Sequence, residues 1–218
     1  MCDFIKFLKA PVENKRIPAN KILSVLSTFA LIYILSILIF AACLIIFKGD
    51  VPKSSINKMT ALPFWFTITI PPLVEELSFR LCLRRSPATI LISSIFFFWC
   101  IVSLPLTDVM YSTDKLVLRC LIALAGGCTL TILFKKQLIN ANFRAIFYLS
   151  AIVFGLMHAG NCSDFVNIRG AIYAIIYLVL HVLIGLFYGY VRVGCGIFAS
   201  YLFHLANNLL PMICIYML

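Results

Sequence analysis

The stretch Glu75-Glu76-Leu77-Ser78-Phe79-Arg80 places two adjacent carboxylates and an arginine inside an apolar run. Residues 61–83 otherwise have the composition of a membrane span, where inserting an ionisable group costs about 2.5–3.5 kcal/mol, so these groups are expected to have a function. Glu76 and Arg80 are four residues apart, and an intrahelical ion pair is expected to neutralise both. Glu75 then lies on a different face of the helix, free to act as a general base or acid toward water.

Histidines interrupt two further apolar runs. His158 follows Phe154 by one helical turn in Phe154-Gly155-Leu156-Met157-His158, and alone this pattern is more typical of an interhelical hydrogen bond than of catalysis. His204 and Asn208 are also one turn apart, so both can donate hydrogen bonds toward one point, as an oxyanion site requires, or join two helices. His181 has no evident partner at helical spacing and is interpreted as a packing residue.

Seven hydrophobic runs are long enough to cross about 30 Å of hydrocarbon. Hydrophobic residues make up 63% of the 218 and charged residues 12%, against about 45–50% and 25% in soluble domains. The sequence therefore predicts an all-α, polytopic transmembrane helix bundle with a membrane-embedded polar cavity. It forms a single membrane domain over residues 1–218, with a motif-bearing core at about 60–212. The runs lie at 22–47, 61–83, 88–106, 116–134, 145–160, 171–190 and 195–217.

The distribution of basic residues predicts the orientation. With the N-terminus inside, 12 of the 18 Lys and Arg residues fall on the cytoplasmic side and six on the other side. The positive-inside rule then makes residues 1–21 a cytoplasmic basic tail and places the C-terminus outside the cell membrane. The first apolar run is too long for a removable signal peptide. The net charge of +10 is spread between apolar runs, so no nucleic-acid partner is expected.

This orientation brings the polar side chains to one depth. Counted at 1.5 Å per residue from Arg85, Arg144 and Arg192 respectively, Glu75 lies about 15 Å, His158 about 21 Å and His204 about 18 Å into the membrane. Scattered structural polar residues have no reason to share a depth. Pro71 and Pro72 are expected to break or kink the span ahead of Glu75, with Pro72 as a first helical residue, so that it lines a water-filled cavity.

Together, the stretches 75–80, 154–158 and 204–208 resemble the EExxxR, FxxxH and HxxxN motifs, in this order, of the CPBP family of intramembrane proteases. This family includes the type II CAAX prenyl endopeptidases and bacterial proteins associated with bacteriocin processing and self-immunity. The resemblance covers roughly residues 60–212. The sequence has no HExxH, GxSxG or GxGD motif, so the best-known zincin, rhomboid-like and presenilin-like sites are excluded.

The resemblance implies a role for each motif residue. Glu75 would activate the attacking water with the assistance of His158, and the other two catalytic residues would stabilise the oxyanion. The implied catalytic residues are Glu75, His158, His204 and Asn208, and the supporting ones are Glu76, Arg80 and Phe154.

The cofactor stays open at this stage. Family members are commonly classed as metalloendopeptidases, and a metal-free glutamate mechanism has been argued for the prenyl endopeptidases. Glu75, His158 and His204 offer three ligands for zinc with water in the fourth position, and Glu76 or Arg80 would then orient them. The metal-free mechanism is favoured.

The resulting prediction is an intramembrane endopeptidase. It would hydrolyse a peptide bond of a membrane-associated or prenylated, CAAX-type protein or of a peptide precursor, so its partners would be that substrate and the lipid bilayer. A prenylated tail, a quorum-sensing or bacteriocin precursor and a membrane regulator are all compatible substrates. The alternative is a catalytically silent scaffold that keeps the same polar site for binding or immunity. A proton-coupled transporter is disfavoured because the sequence has no internal repeat.

Overall fold

The computed structural model describes residues 2–13, 15–46, 62–107, 110–162 and 168–217. Within these ranges the chain forms eight α-helices, joined in places by 3₁₀ turns, and no β-strand. The helices are α1 (Cys2–Lys9), α2 (Ile22–Ile46), α3 (Phe64–Phe79), α4 (Pro87–Leu106), α5 (Leu116–Asn140), α6 (Phe143–Met157), α7 (Ile168–Cys195) and α8 (Ile197–Met217). The predicted all-helical bundle is confirmed.

Five helical regions are long and apolar enough to cross a membrane. Many large apolar side chains on them face outward, including Val117 at 73% exposure and Ile132 at 74%, as expected of a surface in contact with lipid. The protein is a multi-pass membrane protein. The five regions are Ala19–Ile39, Pro87–Leu106, Leu116–Asn140, Phe143–Gly160 and Gly170–Cys195.

The other two predicted spans are the helices that carry the motifs at 75–80 and 204–208. α3 has 16 residues, and the apolar part of α8 is the shorter segment Ile197–Ile213. Both are interrupted by charged or amide side chains, which lowers their hydropathy. The predicted ends at residues 47 and 61 lie outside the described residues.

α3 continues through both of its prolines, so the expected helix start at Pro72 is wrong. The helix begins at Phe64, and Pro71 and Pro72 are buried within it. They remove the two amide donors that would bond the carbonyl groups of Thr67 and Ile68. Packing of α3 between α4 and α8 holds the helix together there, because neighbouring helices can support a backbone that proline has weakened.

The N-terminal tail is docked on the bundle. Phe7 on α1 is buried, and its ring lies 5.2 Å from the rings of both Phe147 on α6 and Tyr190 on α7. Further along, Arg85 Nε donates to Glu13 Oε2 at 2.8 Å. The Ile17 amide donates to the Gly194 carbonyl at 3.0 Å. These contacts join the tail to the α3–α4 connection and to the end of α7.

A single glycine separates α7 from α8. Gly196 has a φ of 98°, a conformation that residues with a Cβ rarely adopt and that commonly ends a helix. Its amide donates to the Arg192 carbonyl at 3.1 Å, and its own carbonyl accepts from the Ser200 amide at 3.3 Å. α8 can therefore begin directly and pack against both α7 and α3.

Candidate active site

His204 lies between the two adjacent carboxylates of α3. Its Nδ1 is 3.1 Å from Glu76 Oε1, and its Nε2 is 3.5 Å from Glu75 Oε2. An ionised carboxylate only accepts hydrogen bonds, so Nδ1 carries the proton that it donates to Glu76. This bond fixes the orientation of the ring and leaves Nε2 directed toward Glu75.

The two glutamates have different environments although they are neighbours in sequence. The Glu76 side chain is fully buried, whereas that of Glu75 retains 18% exposure. Glu75 Oε1 also accepts a hydrogen bond from the Tyr111 hydroxyl at 3.2 Å. The accessible carboxylate can meet water or a substrate, and the enclosed one can only act on its protein neighbours.

Ser200 is a further neighbour of Glu76, and it was not predicted from the sequence. Its Oγ is 2.5 Å from Glu76 Oε2 and 3.0 Å from the Tyr188 carbonyl oxygen. Ser200 and Asn208 flank His204 at a spacing of four residues on either side, so the three share one face of α8. That spacing is the signal that could have identified Ser200. Asn208 is half-buried beside His204.

The expected ion pair between Glu76 and Arg80 is wrong: no salt bridge joins these two described side chains. α3 ends at Phe79, so the arginine leaves the helix instead of lying along it. Its Nη2 donates to the Gly185 carbonyl of α7 at 3.3 Å. Its guanidinium carbon lies 4.0 Å from the centroid of the Phe154 ring, where a cation–π contact stabilises the buried charge.

Gly185 leaves room for the buried Arg80 side chain in this position. A Cβ at residue 185 would be 3.1 Å from Arg80 Nη2, 3.0 Å from Phe154 Cδ1 and 3.2 Å from the Ala151 carbonyl oxygen. These contacts are tighter than most Cβ atoms make, so a larger residue would crowd Arg80 and Phe154, and the glycine supports the site although it carries no functional group.

Phe154 and His158 form the side of the site that α6 contributes. The Phe154 ring lies 5.7 Å from the His204 ring and 4.8 Å from the His158 ring. His158 caps the C-terminal end of α6, and its Nδ1 donates to the Phe154 carbonyl at 2.9 Å. Because Nδ1 holds the proton, neutral His158 keeps a lone pair on Nε2. No hydrogen bond or ion pair between the described residues joins His158 directly to Glu75.

His181 also belongs to this region. Its ring lies 4.1 Å from the His158 ring with 31° between the planes, and its Nδ1 donates to the Tyr177 carbonyl at 2.8 Å. The partner is therefore one turn back on the same helix, which the sequence interpretation overlooked. His181 thus packs by ring stacking, as expected of a packing residue, but the ring that it stacks on belongs to the predicted site residue His158.

The residues offered as zinc ligands do not fit a metal ion as they lie. Among the described residues, no three His, Cys, Asp or Glu side chains are grouped closely enough to hold one. Glu75 and His204 are adjacent, whereas His158 is turned toward the Phe154 carbonyl and His181.

Comparison with known proteins identifies the family. The family model described as type II CAAX prenyl endopeptidase Rce1-like matches residues 57–210, which include all three motifs. The chain belongs to this family. No curated protein and no solved structure matches it. As an Rce1-like protein, the chain is in general terms a CAAX-type intramembrane endopeptidase that acts on a peptide or protein substrate, and the resemblance seen in the sequence is confirmed.

Proposed function

We propose that Glu75 is the general base of this peptidase and that His204 and Asn208 form its oxyanion site. The substrate would be a membrane-associated or prenylated, CAAX-type protein or a peptide precursor. The observation that carries the proposal is the position of His204 between an accessible and an enclosed carboxylate. One carboxylate can react with water while the other orients the imidazole.

In the first step, Glu75 takes a proton from water as the water oxygen bonds to the scissile carbonyl carbon, and the carbonyl electron pair moves to its oxygen. His204 Nε2–H and the Asn208 amide donate to that oxyanion. Because Nδ1 already donates to Glu76, a donor on Nε2 requires the imidazolium form of His204. In the second step, the carbon–nitrogen bond breaks and the Glu75 proton passes to the leaving amine.

The remaining site residues would support this chemistry. The free Nε2 lone pair of His158 suits an auxiliary base that reaches Glu75 through water. In this scheme the positive charges of the buried Arg80 guanidinium and of the His204 imidazolium would neutralise the two negative carboxylates. Phe154 contacts Arg80 and His204 with its ring and His158 with both its ring and its carbonyl oxygen, so it would keep these groups in register.

We propose a mechanism without a metal ion, because Glu75, His158 and His204 do not converge as three ligands. Dialysis against a zinc chelator is then expected to leave the rate of hydrolysis within about twofold of the untreated enzyme. Loss of activity that added zinc restores would contradict this part of the proposal.

The test compares purified wild type with Glu75→Gln, His204→Ala and Asp3→Asn, a control in the N-terminal tail. Candidate substrates are prenylated and unprenylated CAAX peptides and peptide precursors, presented in lipid nanodiscs. Losing the base or an oxyanion donor is expected to reduce kcat at least about 10²-fold, whereas the control stays near wild type. Equal hydrolysis by all variants contradicts the assignment. A cellular phenotype that survives Glu75→Gln would favour the silent scaffold instead.

We also propose that the N-terminus is cytoplasmic. The contacts of Glu13 with Arg85 and of Ile17 with Gly194 support one common end for the tail, the α3–α4 connection and the end of α7. The positive-inside count places that end in the cytoplasm. A membrane-impermeant thiol reagent should then fail to label a cysteine introduced at Arg16 in intact cells and should label it after permeabilisation.

A further inference from the structure

A fully buried arginine organises the segment 110–115, which precedes α5. Arg119 is the fourth residue of α5 and has no solvent exposure. Its guanidinium donates to the Met110 carbonyl, to the Ser112 carbonyl at 2.8 Å and to the Asp114 carbonyl at 3.2 Å. The three accepting carbonyls come from alternate residues of the segment. One side chain therefore satisfies much of the backbone of segment 110–115.

The same guanidinium attaches the segment to α4. Arg119 Nε donates to Ser103 Oγ at 2.9 Å, and its carbon lies 4.5 Å from the Trp99 ring centroid. Trp99 in turn packs against Tyr111, with their ring centroids 5.6 Å apart. A charge buried at this cost is retained only where its hydrogen bonds are satisfied, and here they fix where the Tyr111 ring lies.

The Tyr111 hydroxyl is the group that this arrangement delivers to the active site. It donates to Glu75 Oε1 at 3.2 Å, on the oxygen that does not face His204. We propose that Tyr111 is a positioning residue for Glu75, and that Arg119 holds segment 110–115 as a wall of the active site for this purpose. The inference rests on the proposed role of Glu75 as the general base.

A donor to the ionised carboxylate stabilises the form that accepts a proton from water. The other ionisable groups that interact with Glu75 are His204 on α8, His181 and Tyr188 on α7, Cys100 on α4 and Arg80 at the end of α3, and Glu76 is its neighbour in sequence. All of these remain in a Tyr111→Phe variant. The acid limb of the pH–rate profile is therefore expected to move upward by about one pH unit when this hydrogen bond alone is lost.

The first experiment measures kcat and KM from pH 4 to 9 for wild type, Tyr111→Phe and a matched control, Tyr148→Phe. The Tyr148 hydroxyl donates to the Leu8 carbonyl, on α1 and away from Glu75. Tyr111→Phe should shift the acid limb and lower kcat several-fold at pH 6 with KM nearly unchanged, while the control keeps the wild-type profile. An unshifted limb in Tyr111→Phe would overturn the proposal.

Arg119 is tested by a double-mutant cycle. If Arg119 serves to place the Tyr111 hydroxyl, Arg119→Gln should shift the same limb, and adding Tyr111→Phe should shift it no further. Additive shifts would overturn the link between the two residues. Arg119→Lys, which keeps the charge and loses the forked donor geometry, should recover at most part of the wild-type behaviour.

A second measurement does not depend on proteolysis. A hydrophobic carbodiimide reacts with protonated carboxyl groups, so the pH midpoint of Glu75 labelling, read by mass spectrometry, reports its ionisation directly. Tyr111→Phe should raise that midpoint by about one pH unit, and Tyr148→Phe should leave it unchanged. Unchanged labelling in Tyr111→Phe overturns the inference. Absence of peptide hydrolysis by wild type, with the labelling shift present, would instead count against the proposed function alone.

Discussion

At the residue scale, the candidate active site depends on the different surroundings of the neighbouring carboxylates Glu75 and Glu76. Adjacent positions on a helix point about 100° apart, so neighbouring carboxylates meet different surroundings. Glu76 is enclosed by Ser200 and His204, whereas Glu75 faces Tyr111 and remains accessible. The roles proposed for the two carboxylates, one as the base and one as the group that orients His204, would thus follow from helical geometry.

Ser200→Ala should lower both the stability of the protein and its turnover rate. The change removes the 2.5 Å hydrogen bond to Glu76 Oε2 and leaves a buried carboxylate with one donor fewer. We expect a loss of about 1–3 kcal/mol in the free energy of unfolding and a several-fold decrease in kcat. Thermal unfolding in nanodiscs and steady-state kinetics measure the two effects. A variant as stable as wild type would show that Glu76 does not need this donor.

Gly185→Ala should displace Arg80. The new methyl group would lie 3.2 Å from the Ala151 carbonyl oxygen as well as against Phe154 and Arg80, so all three neighbours would have to shift by a few tenths of an ångström. Overpacking of this kind costs about 1–3 kcal/mol. Gly160→Ala is the matched control, since a methyl group there meets nothing within 4 Å. Comparing the melting temperatures of the two variants tests the expectation, and equal values would contradict it.

Several features of the site could not be deduced from residue spacing. The EExxxR pattern predicts a Glu76–Arg80 pair only if the helix continues, and α3 ends one residue before Arg80. Ser200 is recoverable, because it shares the face of His204 and Asn208. Tyr111 and Arg119 are not, because their contacts depend on how segment 110–115 folds over α4, a tertiary arrangement with no local periodicity.

At the element scale, apolar length predicted the spanning helices well and helix ends poorly. Burial in lipid requires a continuous apolar helix, which is visible in the sequence. Proline preference, by contrast, predicted a start at Pro72, and packing against α4 and α8 overrides it. The docking of α1 was not predicted, because one buried aromatic in a basic segment carries too little pattern.

The docked tail should be sensitive to acid. Hydrogen bonds from Arg85 lower the pKa of Glu13 below its ordinary value of 4.5, and a hydrogen bond from Lys21 lowers that of Asp3. A carboxyl whose pKa is lower in the folded state stabilises it above the unfolded pKa and loses that effect as pH falls through the folded value. Tail attachment should therefore be constant from pH 7 to about 5 and weaken below pH 4.

Limited proteolysis near residues 10–21 measures this attachment as a function of pH. Glu13→Gln should be cleaved faster than wild type at pH 7 and should show little further increase in acid. Asp3→Asn should change the cleavage rate less, because the ion pair that it removes, between Asp3 and Lys21, is exposed. A wild-type rate that does not depend on pH between 7 and 3 would contradict the role given to Glu13.

At the scale of the whole molecule, the five candidate membrane spans pack in one bundle with α3 and α8, the two helices whose apolar stretches are interrupted by Glu75, Glu76, His204 and Asn208. α5 and α7 have 25 and 28 residues, and α3 has 16. The five spans supply surface for lipid, and α3 and α8 bring two acids and a histidine to each other. Composition predicts this architecture in outline, because polar residues shorten the apolar stretch of the helices that carry them.

The shortness of α3 has a consequence for the membrane itself. Sixteen residues rise about 24 Å, less than the roughly 30 Å of an average hydrocarbon core. The bilayer beside α3 is therefore expected to thin to reduce hydrophobic mismatch, and each ångström of mismatch costs a fraction of a kcal/mol. In vesicles of phosphatidylcholine with increasing acyl-chain length, hydrolysis should be fastest in the thinnest stable bilayers and fall as the chains lengthen. Rates independent of chain length would contradict this. Bilayer thickness would then help to determine in which membranes the enzyme is active.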